Sequence, residues 1–224
     1  MEDAVLEKCS LFRGVSTKEI RQVLEAVPGR IQCYDKGETV FRLMDTASRI
    51  GIILEGAVQA QKSFPGGSQI NVTTWVPGDM IGPAAVFSQT HRYPCDLVAL
   101  EPSTILMFRK EEMLSLMQKD IRVLENFTAG IATATFMLQQ RLELLSYSGI
   151  AQKAAFYLLI RVRSAGQNRI RIPESVSNWA MIMNVSRSSL HRELKKLETR
   201  GIIIYAPPVI EILDQIALEE VLSS

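Results

Sequence analysis

The side chains with the most recognisable chemistry lie in residues 175–200, SVSNWAMIMNVSRSSLHRELKKLETR. The second half of this stretch has the apolar spacing of a helix, with Leu190, Leu194 and Leu197 on one face. The opposite face carries cations and short hydrogen-bonding groups: Arg187, Ser188, His191, Arg192 and Lys195. Arginine can pair bidentately with guanine, and serine can bond to either edge of a base pair. The pattern therefore predicts a helix whose first turns enter the major groove of DNA.

A second, shorter helix is predicted immediately before this one. Its apolar residues follow the i, i+3, i+4, i+7 spacing: Val176, Trp179, Ala180 and Met183. Ser175 and Ser186 precede the two helices and can cap their free backbone N–H groups. Asn184 and Val185 lie between them, and asparagine tolerates the left-handed backbone of a tight turn. The stretch is therefore predicted to be a helix-turn-helix.

The residues after the second helix decide between DNA binding and a plain amphipathic hairpin with a solvated basic face. Two short β-branched runs, 202–205 and 209–212, flank a turn that contains Pro207 and Pro208. Such runs around a turn predict a β-hairpin. A hairpin at this point is the wing of a winged helix-turn-helix, which favours DNA binding.

The distribution of charge agrees with a DNA-binding module at this end of the chain. The whole protein has a formal net charge of only +1. Residues 153–200 hold ten basic and three acidic side chains, a balance of +7, so the rest of the chain is at about −6. A basic segment on a slightly acidic body is the electrostatic footprint of a nucleic-acid-binding domain attached to something else.

Length and composition predict a globular protein that does not enter a membrane. The chain has 224 residues, of which 47% are hydrophobic and 22% charged, enough for two domains. Its apolar runs are far shorter than the roughly 20 residues that span a bilayer. The N-terminus is acidic and lacks a signal-peptide pattern, so we expect a cytoplasmic location.

The first half of the chain changes from helical to strand-like patterns. Residues 1–30 read as helical, and Ser16 with Glu19 forms a capping box. From about 30 to 108, short apolar runs alternate with turn residues, including a turn at 65–67. Strands at this spacing predict a jelly-roll sandwich or barrel.

A long helix with a heptad-like seam is predicted from residue 120 to about 147. Leu124, Ile131, Leu138 and Leu145 are spaced seven apart, and Phe127, Ala134 and Leu142 lie between them. Such a seam favours pairing with a second copy of the helix, although it could also cover the jelly roll. Residues 147–149 then interrupt the helix as a hinge. We expect a sensing domain over 1–117, a dimerisation helix over 118–147 and a DNA-binding domain over 148–224.

Four sequence motifs in the jelly-roll region resemble a known family. They are YDKGETVF, IGIILEGAVQ, PGGSQI and WVPGDMIGPAAVF, with Gly37, Gly56, Gly78 and Gly82 at the positions of the turn glycines. Together with the C-terminal motif, the chain resembles the CRP/FNR family of bacterial transcription regulators. The resemblance implies an α+β fold: a cyclic-nucleotide-binding-like β-roll, a long dimerisation helix and a winged helix-turn-helix. It also implies a homodimer, a palindromic duplex DNA site, a small-molecule effector and RNA polymerase as partners.

The resemblance assigns roles to the residues of the predicted DNA-reading surface. Arg187 and Arg192 match the two arginines with which the family reads guanines, and Ser188 replaces a glutamate that accepts from cytosine. Ser175 and Ser177 lie where family members contact phosphate. The complete set of expected DNA contacts is Ser175, Ser177, Arg187, Ser188, Ser189, His191, Arg192 and Lys195.

The expected effector site departs from the family's cyclic-AMP pattern. Gly82 and Phe87 match the phosphate cassette, but Pro83 replaces its glutamate, and Tyr93-Pro94 replace its arginine and serine. Both prolines also remove a backbone N–H from a site that binds phosphate partly through such groups. Arg92 lies one residue out of register. The candidate pocket consists of Gly82, Pro83, Ala84, Phe87, Arg92, Tyr93 and Thr135.

These departures disfavour a cyclic nucleotide and leave several alternatives open. A small apolar or aromatic effector is the main expectation. The alternative is a regulator that needs no effector, or one that responds to the redox state through Cys95. His91 with Cys95 is a weak match to haem ligation, and Cys9 alone does not make an iron–sulfur cluster. Three dispersed cysteines and two histidines predict no zinc site, so we expect no cofactor.

Two other classes of function receive little support from the sequence. An enzyme is not expected, because His91 and His191 lie in different predicted domains and phosphate-loop or dinucleotide-binding fingerprints are absent. A signalling module that uses only the β-roll would leave the basic C-terminal segment without a role.

Overall fold

The computed structural model describes residues 2–63, 69–172 and 175–223. The chain forms two compact units, Met1–Ala134 and Thr135–Ser224, and one long helix contributes to both. The predicted turn at 65–67 lies outside the described residues. None of the helices in the described ranges is both long and apolar enough to cross a lipid bilayer.

The first unit begins with helices that pack against the following β-structure. They are α1 (Glu2–Lys8), a single 3-10 turn (Ser10–Phe12) and α2 (Thr17–Ala26). The predicted capping box at the start of α2 is confirmed. The Ser16 hydroxyl accepts from the Glu19 N–H, and the Glu19 carboxylate accepts from the Ser16 N–H at 2.8 Å. These two bonds satisfy donors that a helix start leaves free.

In the described part of the first unit, eight strands and one short helix form the predicted jelly roll. The strands are β1 (Arg30–Tyr34), β2 (Thr39–Phe41), β3 (Arg49–Glu55), β4 (Val58–Ser63), β5 (Gln69–Trp75), β6 (Met80–Ile81), β7 (Asp96–Ala99) and β8 (Ser103–Arg109). They make two antiparallel four-stranded sheets, in the orders β1-β8-β3-β6 and β2-β7-β4-β5. Ile50, Ile52, Ile105 and Phe108 are fully buried in the core of this unit. The sequence analysis did not predict β6 or the short helix α3 (Pro83–Phe87).

Two helices follow the roll, α4 (Lys110–Lys119) and the 26-residue α5 (Ile121–Ser146). Asp120 separates them, and its carboxylate accepts the Arg122 N–H at 2.9 Å. The Arg122 guanidinium also donates to Glu19 at 2.9 Å, which joins the start of α5 to α2. This cation and the capping bonds lower the pKa of Glu19 to about 2. Charged hydrogen bonds thus join the beginning of the long helix α5 to α2 of the same unit.

One face of α5 packs into the first unit. Val123 and Phe127 are buried in its core, and the Phe127 ring meets Phe87 of α3 edge-on, with centroids 5.1 Å apart. This placement corrects the sequence analysis, which put Phe127 in the dimer seam. Phe127 lies one turn after Val123 and packs with it in the roll core, so its side chain is not available to a seam on the exposed side of the helix.

Across residues 135–172 and 175–223, the second unit contains four further helices and a three-stranded sheet. They are α6 (Ile150–Ala165), β9 (Arg169–Arg171), α7 (Val176–Ile182), α8 (Arg187–Thr199), β10 (Ile203–Ala206), β11 (Val209–Ile212) and α9 (Gln215–Ser223). The predicted hairpin is confirmed, since β10 pairs antiparallel with β11. The strand β9, which extends the sheet in the order β10-β11-β9, was not predicted, and neither was α9. Trp179, Leu158 and Ile210 lie in the core of this unit.

Candidate nucleic-acid interface and effector cleft

The predicted helix-turn-helix is present, with both predicted caps. The Ser175 hydroxyl accepts from the Asn178 N–H, and the Ser186 hydroxyl accepts from the Ser189 N–H, each at 3.1 Å. Between α7 and α8, Asn184 has a φ of 52°, in the left-handed region. A residue in this region lets the chain change direction within a few residues. The short turn therefore holds α8 close to α7.

The two faces of α8 divide as the sequence predicts. Leu190, Leu194 and Leu197 are buried against the rest of the unit. The exposed face carries Arg187, Ser188, His191, Arg192 and Lys195. Ser189 is half-buried, and its hydroxyl accepts a 2.8 Å bond from the capping Ser186. Its side chain therefore belongs to the helix start as much as to the exposed surface.

Pairing with carboxylates distinguishes the cations of this face. Lys195 donates to Glu198 at 2.7 Å, and Lys196 donates to Glu193 at 2.9 Å. The Arg192 Nε is 4.0 Å from Glu193, and the Arg192 side chain is 69% exposed. Within the described ranges, Arg187 has no carboxylate within ion-pair distance. The guanidinium at the first turn of α8 is thus the one most open to an anionic or base-edge partner.

A concave surface lies beside that first turn. It has a volume of about 410 Å³ and is lined by Ser177, Met181, Asn184, Val185, Ser186 and Arg187, with Ala180 at its base. The exposed serines Ser175 and Ser177 lie at the start of α7. Backbone N–H groups at a helix start favour phosphate, so the surface combines anion-binding and base-reading chemistry.

The wing supports the exposed face of α8 through Tyr205 of β10. The Tyr205 N–H donates to Glu198 at 3.0 Å, and its hydroxyl lies 3.3 Å from His191 Nδ1. The Lys195 ammonium lies over the Tyr205 ring, 5.5 Å from the centroid. Lys195 and the Tyr205 N–H hold the pKa of Glu198 below its usual value. Sequence reasoning missed Glu198 and Tyr205, although the i, i+3 spacing of Lys195 and Glu198 signalled that pair.

Two residues of the candidate effector pocket have structural partners instead. Tyr93 is buried, stacks on Phe41 with centroids 4.2 Å apart, and donates its hydroxyl to the Arg49 carbonyl at 2.9 Å. The Arg92 guanidinium donates to the Met44 carbonyl at 2.9 Å on the exposed side. Both side chains therefore contact the 41–49 segment, and neither lines the cleft that lies between α3 and α5.

The residues around Gly82 form a tight corner of the roll. Gly82 has a φ of 84°, and a Cβ there would lie 3.0 Å from the Arg49 carbonyl oxygen and 3.1 Å from the Phe41 ring. Only glycine fits both constraints without strain. Pro83 then occupies the first position of α3, where its fixed φ is suitable and a missing N–H costs little.

Ala84 and Phe87 line a cleft between α3 and α5. It has a volume of about 480 Å³, and its other lining residues are Ser88, Phe127, Thr128, Ile131 and Ala132. Thr135, the remaining candidate, is exposed on α5 and belongs to the second unit. The lining residues are mainly apolar and carry no charge, a chemistry suited to an uncharged apolar molecule. Outside this lining, the Lys110 ammonium lies 5.5 Å from the centroid of the Phe87 ring.

The two residues considered as haem ligands, His91 and Cys95, lie in the loop between α3 and β7. His91 has a φ of 45°, and its Nδ1 is 3.2 Å from the Val86 carbonyl oxygen. Cys95 is half-buried and packs against the roll core. Burial raises the pKa of the Cys9 thiol to about 11, so that cysteine is held as an unreactive thiol.

The comparisons with known proteins agree with this architecture. Residues 31–120 match the family described as the cyclic nucleotide-binding domain, and residues 152–221 match the Crp-like helix-turn-helix domain. The chain is 24% identical to the cyclic AMP receptor protein of Thermus thermophilus, over 94% of this chain and 95% of that protein. It is 22% identical to the nitrogen fixation regulation protein FixK of Bradyrhizobium diazoefficiens, over 97% and 91%.

A solved structure shows the same fold. The catabolite activator protein of Thermus thermophilus superposes with a TM-score of 0.57 at 22% identity, covering 96% of this chain and 98% of that one. A sensor roll followed by a Crp-like helix-turn-helix defines a DNA-binding transcription regulator, and the named relatives are regulators, not enzymes. The chain belongs to the CRP/FNR family.

The left-handed turn residue gives a test of the helix-turn-helix geometry. Asn184→Ala should lower the free energy of unfolding by about 1–2 kcal/mol, because alanine tolerates the left-handed region less well than asparagine does. Asn184→Gly should show no such loss, since glycine adopts the conformation freely. Urea-induced unfolding followed by circular dichroism measures both. Equal losses for the two variants would contradict the turn geometry.

Proposed function

We propose that this regulator binds a palindromic duplex as a homodimer, and that a small apolar effector at the β-roll controls that binding. The observation that carries the proposal is the structure of α8. This helix has a buried leucine face and an exposed arginine face, and its start is held by a cap and by a tight turn. Its capped start and the turn at Asn184 present the first turns of α8 outward, as a recognition helix requires.

The proposed DNA contacts divide by chemistry. Arg187 and Arg192 would read guanine edges bidentately, and Ser188 would bond to a neighbouring base. Ser175 and Ser177 would hold phosphate at the start of α7, with Lys195 as a backbone contact. The Tyr205 hydroxyl contacts His191, and Glu198 accepts from both Lys195 and the Tyr205 N–H. Glu198 and Tyr205 thereby position the His191 and Lys195 side chains. Since Ser189 is engaged in the cap, we propose only an ancillary contact for it.

The proposed dimer forms through the exposed face of α5. Leu138 and Leu142 are 60% and 61% exposed, and Leu124 and Leu145 are also exposed. With Phe127 turned inward, the remaining positions of the row alternate by four and three residues: Leu124, Thr128, Ile131, Thr135, Leu138, Leu142 and Leu145. All of them are exposed except Ile131, which is half-buried against the roll core. Ala134 is exposed beside this row. A 3-4 alternation along one face is the pattern of two helices packed side by side.

The cleft between α3 and α5 supports an apolar effector next to the proposed seam. Thr128 and Ile131 belong to both the cleft and the row of seam positions. A ligand on Phe87 and Phe127 would therefore bear on the faces by which two α5 helices pair, and could shift the population of DNA-competent dimers. The effector-independent or redox-responsive regulator remains the alternative.

The remaining expectations follow from the family role. We propose RNA polymerase as a further partner, a cytoplasmic location, and a division into a sensing domain (1–117), a dimerisation helix (118–147) and a DNA-binding domain (148–224). The three-residue segment 147–149, which is not helical, is proposed as the hinge.

Two substitutions on α8 test the DNA-reading face. Arg187→Ala should cost about 1–3 kcal/mol on a specific site and relax one base position, because a bidentate contact to a base is lost. Lys195→Ala should weaken specific and random duplexes alike, and reduce the salt dependence of binding. Fluorescence anisotropy at several salt concentrations measures both. If Arg187→Ala lost affinity equally on both duplexes, the assignment of the reading face would fail.

One charge on α5 tests the dimer. Leu138→Glu should weaken self-association by at least about tenfold, since an unpaired carboxylate in an apolar interface costs well over 1.4 kcal/mol. The control is Gln139→Glu, which places the same charge on the neighbouring exposed position and should leave the dimer intact. Analytical ultracentrifugation measures the assembly state. A dimer unchanged by Leu138→Glu would rule out this seam.

A thermal-shift screen tests the effector proposal. Ligands that bind only the native state raise the melting temperature, so no promoter is needed. Small apolar and aromatic metabolites should give shifts that Phe87→Ala abolishes, whereas cyclic nucleotides should give none. A strong shift with cyclic AMP would overturn the argument from Pro83, Pro94 and Arg92.

A further inference from the structure

The second unit contains its own cavity, apart from the surface of α8 that is proposed to bind DNA. It has a volume of about 390 Å³ and lies among the end of α5, α6 and α7. The lining residues are Met137, Gln140, Arg141 and Leu144 of α5, Phe156, Tyr157, Ile160, Arg161 and Ser164 of α6, and Ile182 of α7. The volume falls within the range that holds small organic ligands.

The cavity joins an apolar interior to a cationic edge. Leu144 and Phe156 are buried, and Ile160 and Ile182 are half-buried, whereas Arg141 and Arg161 are exposed. Every ion pair of the second unit within the described ranges uses other cations, so neither guanidinium has a carboxylate partner there. Two guanidinium groups next to apolar walls attract an anionic group attached to an apolar body.

A buried polar atom in the lining also lacks a partner. The Tyr157 hydroxyl is buried and has no partner that meets the distance and angle of a hydrogen bond in the described part of the chain. Burial raises the pKa of Tyr157, and the nearby Arg161 guanidinium, which interacts with the hydroxyl, opposes that rise. The Arg161 guanidinium lies over the Tyr157 ring, with its carbon 5.2 Å from the centroid. A buried hydroxyl without a partner loses free energy, which a ligand oxygen placed between Tyr157 and Arg161 would restore.

We infer that this cavity binds a small organic monoanion with an apolar body, such as an aryl-alkyl carboxylate. Its carboxylate lies between Arg141 and Arg161 and accepts from the Tyr157 hydroxyl, and its apolar part packs on Leu144, Phe156 and Ile182. This site differs in place and in chemistry from the apolar cleft of the first unit.

The site and the proposed dimer seam use different faces of α5. Met137, Arg141 and Leu144 are spaced i, i+4, i+7, and Leu138, Leu142 and Leu145 follow the same spacing one residue later. One residue corresponds to a rotation of about 100° around a helix. A paired α5 therefore leaves Met137 and Leu144 on the side of the helix away from the seam, and Arg141 lies at the border between the two faces.

A ligand here would connect the end of α5 with the first helix of the DNA-binding motif. Ile182 is the last residue of α7, and Tyr157 packs on Trp179 of the same helix with ring centroids 5.2 Å apart. The segment 147–149 lies between α5 and α6 in the chain, so bridging them restricts that segment. The effect on DNA rests on the proposed function, whereas binding of the anion does not.

Trp179 provides an internal reporter of binding. The chain has two tryptophans, so Trp75→Phe leaves Trp179 as the single emitter. In this full-length background, 4-phenylbutyrate should change the Trp179 emission saturably, with a dissociation constant on the order of 1 mM or tighter. Its neutral isostere, 4-phenylbutyramide, should bind about tenfold more weakly, because the charged hydrogen bonds are lost.

Three variants localise the site. Arg141→Gln and Arg161→Gln should each weaken 4-phenylbutyrate about tenfold and leave the amide unaffected, and Arg161→Lys should recover part of the loss. The matched control is Arg163→Gln on the same helix, whose guanidinium pairs with Glu219 at 3.2 Å outside the cavity. It should bind like the parent. Thermal melts establish that each variant is folded.

Several results would overturn the inference: no saturable change up to about ten times the expected dissociation constant, equal binding of acid and amide, or equal losses for Arg163→Gln and Arg161→Gln. Anisotropy with a duplex, measured separately, distinguishes the two proposals. If the protein bound 4-phenylbutyrate but not DNA, the proposed function would be wrong and the anion site would stand. If it bound DNA but not 4-phenylbutyrate, only the anion site would be wrong.

Discussion

The long helix α5 has two apolar faces, and its own chain covers only one of them. Val123 and Phe127 are buried in the roll, where Phe127 meets Phe87. Leu124, Leu138, Leu142 and Leu145 remain exposed in a row. Contiguous apolar surface of this kind is unfavourable in water, at roughly 25 cal/mol for each Å². We propose that the helix links folding of the roll to assembly with a second copy, and the proposals for the apolar effector and for the palindromic DNA site depend on that link.

The DNA-binding motif depends on much more local interactions. Two serine caps, one left-handed asparagine and three buried leucines place α8 so that its arginines are exposed. The wing then fixes the distal part of the helix, since Glu198 accepts from both Lys195 and the Tyr205 N–H. As a result, the lysine is held by a carboxylate, whereas Arg187 keeps its bonding capacity for a partner. The proposed division between base-reading and phosphate-neutralising residues rests on these contacts.

The sequence predicted the features whose causes lie within a few residues. The capping box at Ser16, the caps at Ser175 and Ser186, the turn at Asn184 and the wing hairpin all follow from local spacing. It did not predict β6 or β9, because strands of two or three residues are too short to show alternation.

The errors at the candidate sites have a different cause, since they depend on distant partners. Phe127 faces inward because of Phe87, forty residues earlier in the chain. Tyr93 is withdrawn from the candidate pocket by Phe41 and Arg49, and Arg92 by the Met44 carbonyl. The cavity beside Tyr157 requires three helices to be packed before it exists, and no spacing rule within one helix indicates it.

Selection of binding sites from a random duplex library tests the central claim most directly. A paired α5 that presents two copies of α8 predicts enrichment of two-fold symmetric sites, with half-sites about 10–10.5 base pairs apart centre to centre and guanines in each half. Enrichment of single, unpaired half-sites would contradict the dimer, and the absence of any enriched sequence would contradict the reading face of α8.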